Sequence, residues 1–387
     1  MASTLKTEVV QNPSSATVNL TLDASGGVAA GQNLSVTGTT TLTGAVTMST
    51  NATSSGTVVM SSPYTMRNKI INGAMVIDQR NAGASVTPTN AAYTIDRWKF
   101  YVAQASKFTS QQNAGSVTPP SGFTNYLGVT SSSAYTVLTG DYFTLDQLIE
   151  GLNTADLNWG SASAQTVTVS FWVRSSLTGV FSGGLYNSAN NRSYVFTYNI
   201  NSANTWEQKT ITISGDTTGT WLTTNGSGIG LRFNLGGGST YQTTANTWAA
   251  GNFFATSSSV NVVGTNGATF YITGVQLEAG SAASPFENRS YGTELALCQR
   301  YYEIQYAGSA GSEVVGTQRS ASNFWSQWSF AVTKRASPTV SLTSSGSWVE
   351  GTPTIYPTIS YVQFNRAGSY YGAGTNNVGW IQAASEL

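Results

Sequence analysis

Apolar and polar side chains alternate with a period of two in several stretches of the middle of the chain. In "QTVTVSFWVR" the apolar positions are Val167, Val169, Phe171 and Val173, in "SYVFTYNI" Tyr194, Phe196, Tyr198 and Ile200, and in "IGLRFNL" Ile229, Leu231, Phe233 and Leu235. Such alternation is that of half-buried antiparallel strands with one face on a core and the other toward solvent. In "FYITGVQLE" the apolar phase shifts between Phe270 and Ile272 on one side and Val275 and Leu277 on the other. Gly274 between them predicts a β-bulge that keeps all four facing inward. Gly-, Ser- and Asn-rich turns separate these strands, so residues 64–290 read as a β-sandwich or jelly roll.

Helical spacing occurs twice. Leu145, Leu148, Ile149 and Leu152 in "TLDQLIEGLN" predict a short helix, and Leu295, Cys298 and Tyr302 in "SYGTELALCQRYYEI" predict a linking helix over 291–303 with Leu297 and Tyr301 beside its stripe. Ser290 or Thr293 is placed to cap it. From 304 to 387, "SNFWSQWSFAVTKRASPTVSLT" and "TPTIYPTISYVQFNRAGSYYGAG" read as strands broken by Pro and Gly turns, a C-terminal β-rich tip.

The leading segment, residues 1–63, is different. No Phe, Trp or Tyr precedes Tyr64, and its only charges are Lys6, Glu8 and Asp23. Short alternating pieces (Val18, Leu20 and Leu22; Leu34 and Val36; Val46 and Met48) are punctuated by Gly26, Gly27, Gly31, Gly38 and Gly44. A single copy of this segment has too little apolar surface for a core. The regular alternation with small residues predicts a stalk whose faces meet between chains, rather than a Ser/Thr-rich linker.

Composition narrows the function classes. Charged residues are 9% of the 387 positions, against roughly 25% in ordinary soluble proteins; hydroxyls and amides do the solvating. Lys+Arg and Asp+Glu are both 17, so no net charge steers the chain to nucleic acid or an anionic membrane. With no histidine, Ser-His-Asp and Cys-His catalysis and the commonest metal ligand are excluded. Cys298 is the only cysteine and forms no disulfide within the chain; its neighbours predict a small buried hydrophobe. No apolar run reaches the roughly 18 to 20 residues that span a bilayer, and the N-terminus lacks the pattern of a signal peptide. Cytoplasmic synthesis with delivery by cell lysis fits these features.

Several segments, in order, resemble tail-fibre proteins of tailed bacteriophages, especially those of aquatic bacteria. "STLKTEVVQNPSS" resembles a virion-attachment start, "NLSVTGTTTLTGAV" a repetitive stalk, "RNKIINGAMVIDQRNAG" with "YTIDRWKF" the start of a jelly-roll fibre domain, and "GVQLEAGSAASPFENRSYGTELALCQRYYE" its end and following helix. Together they cover most of residues 1–303; the tip resembles nothing comparable. The resemblance implies an all-β, elongated trimeric fibre: N-terminal β stalk, jelly-roll domain, short linking helix and distal tip. It also implies a homotrimer in the virion, attached through the N-terminus to other tail or baseplate proteins. The function it implies is host recognition and adsorption; from the residues themselves, no cofactor and no catalytic activity are expected.

Glycan binding is the chemistry the tip composition suggests, since sugar C–H faces stack on aromatic rings while amides and Arg satisfy the hydroxyls. The candidate contacts are Trp325, Trp328, Tyr361, Arg366, Tyr370 and Tyr371, beside Asn323, Gln327, Gln363, Asn376 and Asn377, and the ligand is host surface polysaccharide or lipopolysaccharide. The competing role for each aromatic is core or trimer interface. Adjacent Tyr370 and Tyr371 cannot both face inward on a strand, so one of them is the best exposed candidate.

Elsewhere, Asp78, Arg80, Asp96 and Arg97 read as a structural salt bridge or loop clamp rather than a ligand site. Glu278 and Glu287 would be a glycosidase pair only at about 5 to 9.5 Å separation, and their place at the end of the jelly roll assigns them structural roles. Asp141, Asp146 and Glu150 lack calcium-loop spacing, and "LGGGST" lacks the lysine of a phosphate loop and reads as a turn. The alternatives to a receptor-binding fibre are a head fibre, capsid decoration or fibre-network component, and a polysaccharide depolymerase.

Overall fold

The sandwich is built by strands whose apolar phase faces a shared core. In the computed structural model, residues 66–307, 316–320, 323–344, 354–367 and 379–387 are described. The segment expected to be attachment and stalk, and Tyr370, Tyr371, Asn376 and Asn377, lie outside them. The sandwich strands among the described residues are β1 (Ala92–Ile95), β2 (Trp98–Val102), β3 (Phe108–Gln112), β4 (Leu127–Ser131), β5 (Tyr142–Glu150), β6 (Val167–Ser175), β7 (Gly179–Tyr186), β8 (Arg192–Ile200), β9 (Glu207–Ile213), β10 (Ser227–Gly237), β11 (Trp248–Ala250) and β12 (Thr269–Ala279). They form a seven-stranded sheet in the order β1-β2-β5-β10-β7-β8-β11 and a five-stranded sheet in the order β3-β4-β12-β6-β9.

The inward residues of both sheets form one core. Phe100, Phe143, Leu145, Phe196 and Phe233 meet Val129, Val169, Phe171, Phe270 and Leu277, and the Phe171 and Phe233 rings sit edge to face at 5.0 Å. Gly274 makes the expected bulge. Its φ is +62°, the β12–β6 register shifts between Thr273 and Gln276, and Phe270, Ile272, Val275 and Leu277 are all buried. β10 departs from the half-buried expectation, being buried on both faces, because side chains from other segments cover its outer face.

The helix expected at 145–152 is a correction: residues 142–150 are β5. Phe143, Leu145 and Ile149 point into the core, but Gln147 holds the intervening inward position. Its side-chain amide bonds both the N–H and the C=O of Ile71 at 2.8 Å. A polar residue at an inward site hid the period of two, and Leu152 is exposed beyond the strand.

The linking helix, α1, is shorter than expected, spanning Tyr291–Gln299 with Ser290 at the N-cap position. Ser290 Oγ meets Thr293 Oγ1 at 2.8 Å rather than capping a backbone N–H. Cys298 is buried with Ile71, Ile77 and Tyr301, and Tyr302 already opens β13 (Tyr302–Ala307). The remaining strands are β14 (Gly316–Ser320), β15 (Asn323–Ser329), β16 (Thr339–Ser344), β17 (Thr354–Pro357), β18 (Tyr361–Ala367) and β19 (Gly379–Ala384). They form sheets ordered β13-β19-β16 and β14-β15-β18-β17 over a small core of Trp328, Phe330, Val362, Phe364, Ile381 and Ala383.

This β-rich part and the sandwich belong to one compact unit. The Glu386 carboxylate pairs with both Arg80 and Arg97, and Arg97 also donates to Leu148 O and lies 3.6 Å over the Tyr301 ring. Arg300 pairs with Glu150 at 2.7 Å. The expected Asp96–Arg97 reading is thereby refined: Asp96 instead accepts from the Gln79 N–H at 2.7 Å and its amide at 2.8 Å. Asp78 clamps its own loop by accepting from the N–H groups of Arg80, Asn81 and Gly83.

Candidate functional site

The outward phase of β5, β7 and β10 carries a different chemistry from the inward one. On β5 it is Tyr142, Thr144, Asp146 and Leu148; on β10 it is Gly230, Arg232 and Asn234; on β7 it is Gly184 and Tyr186. Register places Asp146 opposite Arg232, Arg232 opposite Gly184, and Gly230 between Leu148 and Tyr186. A Cβ on Gly230 would stand 2.2 Å from the Tyr186 ring. Glycine there lets that ring lie against the strand.

A cleft of about 390 Å³ opens over this region. Tyr101, Tyr142, Tyr186, Tyr241 and Phe254 supply aromatic surface, and Asn90, Asn190 and Asn252 supply amides. Tyr142 and Tyr241 meet edge to face at 5.7 Å, and Tyr241 stacks on Phe254 at 5.1 Å.

Beneath the cleft lies a charged network. Arg232 Nε donates to Asp146 Oδ2 at 2.9 Å, the Tyr186 hydroxyl donates to the same oxygen at 2.7 Å, and Arg232 Nη1 donates to Asn252 Oδ1 at 2.7 Å. The guanidinium lies 3.8 Å over the Tyr186 ring and 5.2 Å from that of Phe254. Burial, reinforced by the Asp146 charge, pushes the Tyr186 hydroxyl well above its ordinary range, so it stays protonated and donating. Burial also raises Tyr241. Four polar atoms of this outward face, Thr144 Oγ1, Asp146 Oδ1, Ser227 Oγ and Asn234 Nδ2, are buried without a hydrogen-bond partner within the protein. Buried polar atoms are normally paired, and these four lie on the two neighbouring strands β5 and β10.

The tip candidates are placed otherwise. Trp328 is a correction: it is 8% exposed, packed edge to face against Phe330 at 5.0 Å, and belongs to the tip core. Tyr361 is half-buried, and its backbone pairs with Ser329. In backbone register Trp325 faces Asn365 and Arg366 faces Phe324, so these four candidates share the two adjacent strands β15 and β18. Tyr370 and Tyr371 are outside the described residues.

The carboxylates weighed for catalysis or calcium are engaged separately. Glu278 accepts from Ser284 N and Gln276 Nε2 at 2.8 Å, and Glu287 from Asn68 N at 2.9 Å. Asp141 accepts from the Tyr135 hydroxyl and Leu138 N, Asp146 from Arg232, and Glu150 from Arg300 and Tyr301. Among the described residues no group of three or more Cys, Asp or Glu side chains is placed to hold a metal ion.

No protein-family profile and no curated protein matches the chain. Among solved structures, it is similar to the enzymatically active domain of tailspike protein 4 of bacteriophage CBA120, with 12% identity over 55% of this chain, 22% of that one, and a TM-score of 0.31. A putative sugar binding protein from Bacteroides thetaiotaomicron matches at 12% identity over 55% of this chain and all of that one, TM-score 0.32. A family 11 carbohydrate-binding module from Clostridium thermocellum, in complex with a mixed-linked tetrasaccharide, matches at 13% identity over 51% of this chain and 96% of that one, TM-score 0.26.

Proposed function

We propose that this chain is a carbohydrate-binding protein whose saccharide site is the tyrosine-walled cleft on the seven-stranded sheet. The observation that carries the proposal is the joining of aromatic rings with buried, unpartnered polar atoms on one outward face. A sugar ring meets both needs: its C–H face packs on the rings and its hydroxyls supply donors and acceptors. A cleft of about 390 Å³ lies at the small end of ligand pockets, roughly 300 to 1,000 Å³, and suits a short saccharide segment. No catalytic step is assigned, since the carboxylates outside the cleft are committed to backbone groups and to basic partners.

The wider role we propose is that of a host-recognising fibre subunit of a tailed bacteriophage, a homotrimer joined to the virion through its N-terminal segment. The support is the ordered resemblance of residues 1–303 to such fibres and the aromatic-free leading segment. Host surface polysaccharide or lipopolysaccharide is then the ligand. A native mass of one chain would refute the trimer, and three chains would support it.

Glycan-array binding by the full chain tests the site. Wild type is expected to retain a glycan, and Tyr142→Ala or Tyr241→Ala to weaken it by about tenfold or more, as loss of a central aromatic contact does. Unchanged binding in both variants would refute the cleft as the site.

A further inference from the structure

Thr144 lines the cleft, and Asp146 and Asn234 lie behind its lining residues on the same outward face of β5 and β10. Thr144 and Asn234 are register partners, and Asp146 lies two residues along β5, opposite Arg232. Each is at most 1% exposed, and Thr144 Oγ1, Asp146 Oδ1 and Asn234 Nδ2 have no partner within the protein. The carboxylate oxygen accepts, the amide nitrogen donates and the hydroxyl does either. An alcohol complements that set, because it donates through its O–H and accepts on its lone pairs. An anionic oxygen can only accept, and here it would meet the Asp146 carboxylate.

The charges around the cleft agree. Arg232 is the single ionic side chain lining it; its charge is offset by Asp146, and Nε and Nη1 are spent on Asp146 and Asn252. Lys99, on the other side of Asp146 in register, keeps Nζ on Leu387 O at 3.2 Å and near the Tyr93 and Tyr101 rings. Among the lining residues, no ionic side chain besides the Asp146-paired Arg232 is offered to an acidic sugar.

We infer that the cleft takes an uncharged saccharide, one hydroxyl of which bonds at Thr144, the lining member of this polar set, and that it discriminates against uronic and sialic acids. This rests on the proposed function.

The test is calorimetric titration of the full chain with neutral gluco-, galacto- and manno-oligosaccharides, with oligogalacturonate and with sialyllactose, for wild type, Thr144→Val and Thr144→Ser. A neutral oligosaccharide is expected to bind at least about tenfold more tightly than either acidic probe. Thr144→Val should weaken it about three- to tenfold, the effect of one hydrogen bond, while Thr144→Ser retains it. Because the Thr144 hydroxyl has no protein partner, Thr144→Val is expected to fold with an undiminished Tm. Acidic probes that bind as tightly, and lose binding in Tyr142→Ala, would overturn this inference while leaving the cleft a saccharide site. Unchanged affinity in Thr144→Val would overturn the hydroxyl contact at Thr144. Binding of neither class by the folded wild-type chain would overturn both this inference and the proposed function.

Discussion

Asp146 and Arg232 face each other across β5 and β10, and the oxygen of Asp146 that receives Arg232 Nε at 2.9 Å also receives the Tyr186 hydroxyl at 2.7 Å. One carboxylate therefore sets the position of the guanidinium and of the ring that lies under it. Both charges are nearly or fully buried, so removing one strands the other. Asp146→Leu is expected to destabilise the chain by about 3 to 5 kcal/mol, and Asp146→Leu with Arg232→Met to recover much of that loss. Urea unfolding of the two variants checks this; equal loss in both would contradict it.

Gly230 is expected to tolerate no side chain. A Cβ there would stand 2.2 Å from the Tyr186 ring, so Gly230→Ala must displace the ring or the strand at a cost of about 1 to 3 kcal/mol. Thermal unfolding measures the cost. Glycan binding should fall in the same variant, because the displaced ring lines the cleft.

Asp96 gives the stability an acid-side slope of unusual sign. Burial pushes its carboxyl from 3.8 up to about 6, outweighing the opposing Arg80 charge and the Gln79 hydrogen bonds. The folded state thus holds this proton more tightly than the unfolded state. Its contribution is fully present below pH 3.8 and is lost as pH rises through about 6. At about 1.4 kcal/mol per pH unit the total is on the order of 3 kcal/mol. Glu150 and Asp216 are held low and act oppositely, losing their contribution only as pH falls below their ordinary range. Between about pH 4.5 and 6, Tm should therefore fall in wild type and fall much less in Asp96→Asn. Parallel profiles would contradict the assignment.

The inward faces of β6, β8 and β10 were legible because apolar residues alternate without interruption, and the bulge of β12 was legible because Gly274 lies between its two phases. β5 was misread because Gln147 stands at an inward site, held by the backbone of Ile71. The cleft was not legible for a different reason. Its residues occupy the outward phase, and Tyr101, Tyr142, Tyr186 and Tyr241 come from separate segments that only the strand order brings together. A signal was present in β10, where the outward positions Gly230, Arg232 and Asn234 alternate with the apolar Ile229, Leu231, Phe233 and Leu235. Trp328 illustrates the converse: a tip aromatic singled out for its chemistry fills the tip core instead. The pairing of Glu386 with Arg97 spans 289 positions, a separation at which no local pattern operates.

The most direct test is a crystal structure of the full chain soaked with an oligosaccharide that it retains on an array. A sugar ring against Tyr142, Tyr186 or Tyr241, with a hydroxyl over Thr144, is the expected result. Sugar density on the β15–β18 sheet, with only water in the cleft, would contradict the account.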